Sequence, residues 1–300
     1  MPASERVPEV GLTAAGPESP ATVDPAETET LIHGELDVKG RVRDASNAVL
    51  YCESTYQGRT VACVYKPVTG ERPLWDFPDG TLAEREVAAY LVSEATGWGL
   101  VPPTVLREGP YGLGMVQRWI EFPSGPGESV DAPEAADAAS APPQLLALTE
   151  ELEPAPGWKA VVEAELESGR TALLVHADDI RLRRIAVLDA VINNADRKGG
   201  HLLPAPDGRI YGIDHGVTFH TDDKLRTLLW GWAGEPLPAE AVTVLDKLAA
   251  ELAGALGERL ATLLTTAETA ALRARVHRLR ETGTHPEPGG EWPSIPWPPV

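Results

Sequence analysis

The sequence is short of positive charge: 26 Lys and Arg stand against 45 Asp and Glu, a formal net charge of −19 over 300 residues. Such a chain is a poor partner for nucleic acid, whose phosphates need a basic surface. The charge also argues mildly against resting on an anionic membrane. Cysteine is scarce too, with only Cys52 and Cys63. Both fall in segments that read as strands, and two such thiols read as reduced core residues rather than a disulfide framework. No run of about 18 apolar residues occurs, so no membrane span is expected. The start has no basic segment followed by an apolar run, so it does not read as a signal peptide. The expectation from these absences is a soluble, cytoplasmic protein with no nucleic-acid partner and no stable membrane association. An apolar content of 43% is enough for a core, and the length suits one large domain or two lobes sharing a cleft.

Residues 1–28, rich in Pro, Glu, Ala and Thr and without periodicity, read as a disordered tail. Leu31–Val38, Ala48–Thr55 and Thr60–Tyr65 then read as three strands, with turns at Lys39-Gly40 and Gln57-Gly58. Thr81–Thr96 reads as a helix with Ala83, Val87, Tyr90 and Leu91 on one face and Gly97 as its C-terminal cap. Val101–Leu106 and Gly112–Ile120 complete an N-terminal block, 29–121. Residues 122–157, dense in Pro, Ala and Glu, read as a linker or insertion, interrupted by an amphipathic patch at Leu145–Leu152. From Trp158 the pattern turns helical, and 158–282 forms a second block. Asp178-Asp179 precedes a helix from Ile180 to about Asn193. Short strands near Leu202-Leu203 and Arg209–Ile213 flank a Pro206-Asp207-Gly208 turn, and helices follow over Ala239–Leu256 and Gly257–Glu281. A Pro- and Trp-rich tail, 283–300, carries Trp292 and Trp297. The coarse class is α+β, a small β-rich lobe joined to a larger helical one.

The informative stretch is Asp189-Ala-Val-Ile-Asn-Asn-Ala-Asp-Arg-Lys-Gly-Gly-His201, followed by Gly212-Ile-Asp-His-Gly216. The stretch resembles the catalytic loop and metal-binding segment of the phosphatidylinositol 3-/4-kinase-like family, related to HipA-type kinases, and within it an actinobacterial group. The resemblance implies phosphoryl transfer, chemistry that is mostly positioning and charge neutralisation around the transferred group. It implies that Asp196, at the end of a buried helix, receives the proton of the attacking hydroxyl. It implies that Asp214, which follows the apolar strand Ile210–Ile213 and precedes Gly216, holds the metal. The two carboxylates lie eighteen residues apart, joined by a hairpin. Asp196-Arg197 matches the Asn-x-Asp-Arg end of the helix, and Asp214-His215-Gly216 matches Asp-x-Gly. The resemblance covers roughly residues 30–235 and implies a two-lobed protein/lipid-kinase-like fold, ATP, and Mg or Mn. It also implies that Lys198 steadies the migrating phosphoryl group. Where the family has a metal-binding Asn, five residues after the catalytic Asp, this chain has His201. Imidazole suits manganese or other transition metals better than magnesium. His201 reads either as a ligand to a softer metal or as a cleft residue that leaves one metal position unfilled.

The N-terminal block supplies the nucleotide side. Lys66, ending the apolar strand Val61–Tyr65, resembles the lysine that contacts nucleotide phosphates. Glu86 is the preferred glutamate to pair with it, Glu84 the second choice. The Gly40–Asn47 turn occupies the place of a phosphate-covering loop without a glycine-rich or Walker pattern, and backbone N–H groups near Ser46 and Asn47 are its candidates. Met115–Glu121, with Gln117, reads as the hinge segment that meets adenine through its backbone, and Trp119 reads equally as core or as ligand-facing. His220, Asp222 and Asp223 lack ligand spacing and read as a solvated loop. Leu228–Trp232 reads as packing or as an acceptor platform, and Trp292 and Trp297 as docking on the domain or on a partner. Three function classes are open: an ATP-dependent phosphotransferase with an unidentified hydroxyl acceptor (lipid, protein or metabolite), a nucleotide-binding pseudokinase, and a metal-dependent hydrolase built on Asp196, His201, Asp214 and His215.

Overall fold

A computed structural model describes residues 24–42, 47–121, 143–165, 169–289 and 292–298. The first element is a helix, α1 (Pro25–His33), rather than a strand beginning at Leu31. Asp24 accepts the Ala26 N–H at 2.9 Å as N-cap, and Pro25 occupies the first turn, where its missing N–H costs nothing. The helix therefore starts inside the segment read as a tail over 1–28. A cap and a proline are a start signal even where apolar periodicity is weak. Its last carbonyls, at Leu31 and Gly34, accept from the Arg107 guanidinium, which also offsets the negative end of the helix dipole.

Strands β1 (Glu35–Arg41), β2 (Leu50–Tyr56), β3 (Arg59–Pro67), β4 (Thr104–Gly109) and β5 (Gly112–Arg118) form one antiparallel sheet in the order β1-β2-β3-β5-β4. The β2–β3 hairpin closes through Gln57 (φ 49°) and Gly58 (φ 80°), both left-handed, the geometry of a tight two-residue turn. Alternation along β3 sorts its side chains between the two faces of the sheet. Val61, Cys63 and Tyr65 pack with Leu31, Cys52 and Val116 beneath α1, so Lys66 points to the opposite face. Cys52 and Cys63 face each other across β2 and β3 as free thiols, which burial pushes up to about 11 and about 12.

On that opposite face lies α2 (Leu82–Thr96). Thr81 and Glu84 form a capping box at its start and Gly97 (φ 76°) ends it. Between the sheet and the helical half, α2 is buried along almost its whole length. The second block holds α3 (Ile180–Ile192), α4 (Ala239–Leu252), α5 (Ala255–Leu260) and α6 (Thr266–Thr282). The two long helices expected over 239–281 are thus three, broken after Leu252 and between Leu260 and Thr266. At the first break the Leu252 carbonyl lies so close to Gly257 that a Cβ there would sit 2.2 Å from it. Helices α2, α3, α4 and α6 share the main apolar core, centred on Ile185, Leu188, Leu245, Leu272 and Trp232. Among the described residues no helix is long and apolar enough to cross a membrane.

A second sheet corrects the expectation that the chain turns helical at Trp158, and its first strand takes up the patch at Leu145–Leu152; residues 122–142 of the segment read as linker lie outside the described residues. Strands β6 (Leu146–Thr149), β7 (Trp158–Glu165) and β8 (Thr171–Ala177) pair antiparallel in the order β6-β8-β7. All of β8 after Thr171 is buried, and a short continuous apolar run cannot be told from a buried helix by periodicity. The Glu-rich end of β7 has helical propensity that its pairing with β8 overrides. The hairpin β9 (Leu202–Pro204) and β10 (Ile210–Gly212) lies where the sequence places it.

Behind β8, His176 packs 4.2 Å from the Trp232 ring, and the same ring stacks on His285. The Gly231 N–H donates to His176 Nε2 at 3.1 Å, so the imidazole is neutral with its proton on Nδ1, 2.9 Å from the Ala177 carbonyl. Burial holds both His176 and His285 down to about 4. The unfolded chain therefore binds more protons than the folded one between about pH 6.5 and pH 4, and stability falls as pH drops through that window. The urea midpoint should be lower at pH 5 than at pH 7, and His176→Gln, which keeps an acceptor for Gly231, should narrow the gap. Equal midpoints for the native chain at the two pH values would rule out this effect of the two buried imidazoles.

Candidate functional site

Strand β3 delivers Lys66 beneath the sheet, where its Nζ donates to Glu86 Oε1 at 2.7 Å and to Asp214 Oδ1 at 2.6 Å. The lysine and Asp214 are 148 positions apart in sequence. Glu86 is 2% exposed, and its other oxygen accepts the His215 N–H at 2.9 Å. One carboxylate on α2 thus ties a strand of the first sheet to the Asp214 loop. Glu84 serves elsewhere, accepting from the Thr81 N–H and hydroxyl at the helix start. The start is also held by Glu71, whose carboxylate accepts from Leu82 and Ala83 N–H groups.

Charge in this cluster is set by its neighbours. Burial works against the Lys66 ammonium, but the attraction of Asp214 and Glu86 outweighs it and holds the lysine above its ordinary range. Lys66 in turn holds Asp214 well below the usual carboxylate range, against the effect of burial. Glu86 is pushed up by burial, and Lys66 opposes that push. The cluster keeps a cationic lysine and an anionic Asp214 at neutral pH.

Asp214 sits at φ 63°, a left-handed conformation that a residue with a Cβ adopts at a cost of roughly 1–3 kcal/mol. Gly216, two residues on, passes α2 so closely that a Cβ would lie 3.1 Å from Leu82 Cβ. The Asp-x-Gly turn is therefore pressed between α2 and the β9–β10 hairpin. His201 reaches Asp214 Oδ2 through Nε2 at 3.3 Å, and burial lowers its pKa despite the attraction of Asp214.

Asp196 follows the end of α3, where Asn193 turns left-handed at φ 54°. Its N–H donates to Asn194 Oδ1 at 3.0 Å, and its carboxylate pairs with Lys198 at 3.2 Å. A cavity of about 90 Å³ is lined by Lys66, Glu86, Asp196 and Asp214 together with Asn47 and Gly216. The structure thus gathers Lys66, Glu86, Asp196, Asp214 and Asn47 at one cleft, with His201 paired to Asp214 and Lys198 to Asp196. Asn47 Oδ1 accepts the Arg72 N–H. Ser46 lies outside the described residues. Gln117 is apart from the cluster, its side chain buried in the β4–β5 pair and donating to Thr104 Oγ1 at 2.8 Å.

The sequence pattern assigned no role to the group that holds the loop up. Arg197 is fully buried and forms a bidentate pair with Asp189, at 2.9 Å through both Nε and Nη2. It also donates to the carbonyls of His201 and Ile213 and to His215 Nε2. A guanidinium has no acceptor, so the His215 proton is on Nδ1, and burial together with Arg197 keeps that imidazole neutral. One side chain thus ties α3, the Asp196 loop, the hairpin and the Asp214 turn together. The signal was present: an aspartate amid Leu188, Ala190, Val191 and Ile192 on a buried helix demands a buried cation nearby.

The remaining candidates do not line this cleft. His220 packs edge-on against Phe77, and its carbonyl accepts from Asn193 and Arg275. Asp223 pairs with Arg278. Leu228, Leu229, Trp230 and Trp232 are buried. Trp292 lies over Lys224, whereas Trp297 is 82% exposed. Among the described residues no group of three or more His, Cys, Asp or Glu could by itself hold a metal ion.

Protein Rv2133c of Mycobacterium tuberculosis is 51% identical over 272 residues, 91% of this chain and 95% of that protein. A crystal structure of the golgi casein kinase covers 87% of this chain and 75% of that one, at a TM-score of 0.42 and 15% identity. No protein-family model matches the chain.

Asp189→Ala leaves the Arg197 charge buried and uncompensated, and should cost about 3–5 kcal/mol in a denaturant melt. The double substitution Asp189→Leu with Arg197→Met, which removes both charges, should recover part of that loss. If the single variant melts like the native chain, Arg197 does not tie these elements together.

Proposed function

We propose that this chain, which belongs to the same family as Protein Rv2133c, is a kinase-like phosphotransferase that moves the γ-phosphoryl group of ATP to a hydroxyl acceptor. The observation that carries the reading is the Lys66 ammonium held between Glu86 and Asp214 in a cleft that Asp196 also lines. Phosphoryl transfer needs a cation for the nucleotide phosphates, a carboxylate for a divalent metal and a carboxylate to receive the acceptor's proton. The three are at hand in one place, drawn from β3, the Asp-x-Gly turn and the loop after α3.

Each residue has a part in this reading. Lys66 exchanges its bond to Asp214 for the nucleotide phosphates while Glu86 keeps it aimed. Asp214, its side chain half exposed, is then the carboxylate that holds the cation. Asp196 orients the acceptor hydroxyl and takes its proton, and Lys198 balances the charge beside it. The donor set fits a hard divalent ion, because magnesium needs only one or two protein carboxylates when phosphates and water complete its shell. A cation bound with the nucleotide neutralises charge on the phosphate oxygens. The resemblance to phosphatidylinositol kinases points to an inositol lipid as acceptor. A net charge of −19 favours a protein or small-metabolite hydroxyl over a headgroup in an anionic membrane.

One observation favours a second reading, a nucleotide-binding protein without transfer. His201 stands in place of the metal-binding Asn and faces Asp214 through Nε2. The experiment that separates the two is incubation with γ-labelled ATP and Mg or Mn in the presence of cell lysate, alongside thermal shift with the same nucleotide. Native protein should bind ATP and transfer label. Asp196→Asn should keep binding and lose transfer by about 10²–10⁴-fold, and Lys66→Met should lose both. Binding without any transfer supports the second reading, and transfer that survives Asp196→Asn refutes the role given to that residue.

A further inference from the structure

The segment after Asp214 runs as an extended strip past the Asp196 loop. Arg226 N–H donates to the Asn194 carbonyl at 2.9 Å, Arg197 N–H to the Arg226 carbonyl at 3.0 Å, and Leu228 N–H to the Arg197 carbonyl at 3.3 Å. The strip therefore brackets Asp196 from both sides. Successive amides of an extended chain point to opposite sides, so Thr227 N–H faces away from the loop. It donates to the Ser294 carbonyl at 3.1 Å. Trp230 Nε1 donates to the same carbonyl at 2.9 Å, and Arg226 Nη2 to that of Ile295. Ser294 and Ile295 thus lie along the outer side of the strip whose inner side holds the proposed catalytic loop.

A second set of contacts locks the near end of this arrangement. Lys224 is 4% exposed, and its Nζ sits 4.2 Å from the centre of the Trp292 ring, 5.5 Å from Phe77 and 5.6 Å from Trp75. It is also 3.0 Å from Asp76 Oδ2. Its backbone N–H donates to Asn193 Oδ1, on the residue that ends α3. Phe77 in turn lies under the Arg85 guanidinium on α2, one residue before Glu86. An ammonium faced by three rings and a carboxylate is strongly held once desolvated. Trp292 supplies the nearest ring.

We propose that the C-terminal segment is a strap whose Trp292 seats Lys224 and so positions the strip 226–228 that sets Asp196. Trp292 is a positioning residue, acting on the loop through Lys224 and the strip without touching nucleotide or acceptor. The inference rests on the phosphotransferase reading for its effect on turnover, and on geometry alone for its effect on the loop.

The test compares Trp292→Ala, Trp292→Phe and Trp297→Ala in the full chain, by amide hydrogen exchange and by label transfer from ATP. In Trp292→Ala, exchange at Arg197, Arg226 and Thr227 should rise about tenfold or more while amides of β2, β3 and α2 stay as they are. kcat should fall about tenfold, with the KM for ATP within about twofold. Trp292→Phe, which restores a ring over Lys224, should regain most of both, and Trp297→Ala should match the native chain. Unchanged exchange at Arg197 and Arg226 overturns the strap, as does acceleration spread evenly over the chain or faster local exchange with unaltered kcat. If the native protein transfers no label, the phosphotransferase reading fails, and the exchange pattern alone still decides whether the strap sets the loop.

Discussion

A single ammonium group shared by two carboxylates organises this protein. Lys66 comes from the first sheet, Glu86 from α2 and Asp214 from the turn after the small hairpin. Neither Lys66 nor Glu86, both shielded from solvent, is stable where it is without a partner. A buried lysine or glutamate left alone would lose its charge or disrupt the packing around it. The contact fixes the position of the sheet against the helical half, because Glu86 also accepts from the backbone of His215. Of the three, Asp214 alone has a half-exposed side chain.

The second tie lies deeper. Arg197 and Asp189 form a fully buried bidentate pair within the layer that carries Asp196 and Asp214. Buried ion pairs add little net stability compared with apolar residues of the same size. What this one provides is register: five acceptors on α3, the loop, the hairpin and the Asp214 turn converge on one rigid planar group. The left-handed Asp214 is held from both sides, by Lys66 on its carboxylate and by Arg197 on the neighbouring Ile213 carbonyl. Strain at such a residue persists only where its surroundings over-determine it.

Much of the candidate site was legible in the chain because its signals are local. An apolar helix ending in Asn-Asn-x-Asp-Arg, a turn with Pro-Asp-Gly, and Asp-x-Gly after a short strand each lie within a few residues of one another. The β2–β3 hairpin, α2 with Gly97 at its end and α3 with Asp179 were readable for the same reason. The sheet β6-β8-β7 was not, since a buried strand such as β8 has no alternation and the pairing that stabilises it is not local. Helix α1 was hidden by composition, its single cap and proline standing at the edge of a Pro- and Glu-rich segment. Ser46 falls where the described residues stop, and Gln117 turned inward because its amide finds Thr104 across the β4–β5 pair.

By itself the sequence determined residue types and local geometry: which carboxylates end helices and turns, which strand ends in lysine, and how little basic surface exists. Periodicity and capping act over a handful of positions, so they can be read along the chain. Only the tertiary structure decided that Glu86 and not Glu84 meets Lys66, since both lie in the first turns of one helix and the capping box claims the other. It alone brought Asp189 to Arg197, His201 to Asp214, and the C-terminal segment to the strip beside Asp196. Those choices depend on which buried charges find partners across long stretches of chain, a constraint that acts through the packed core.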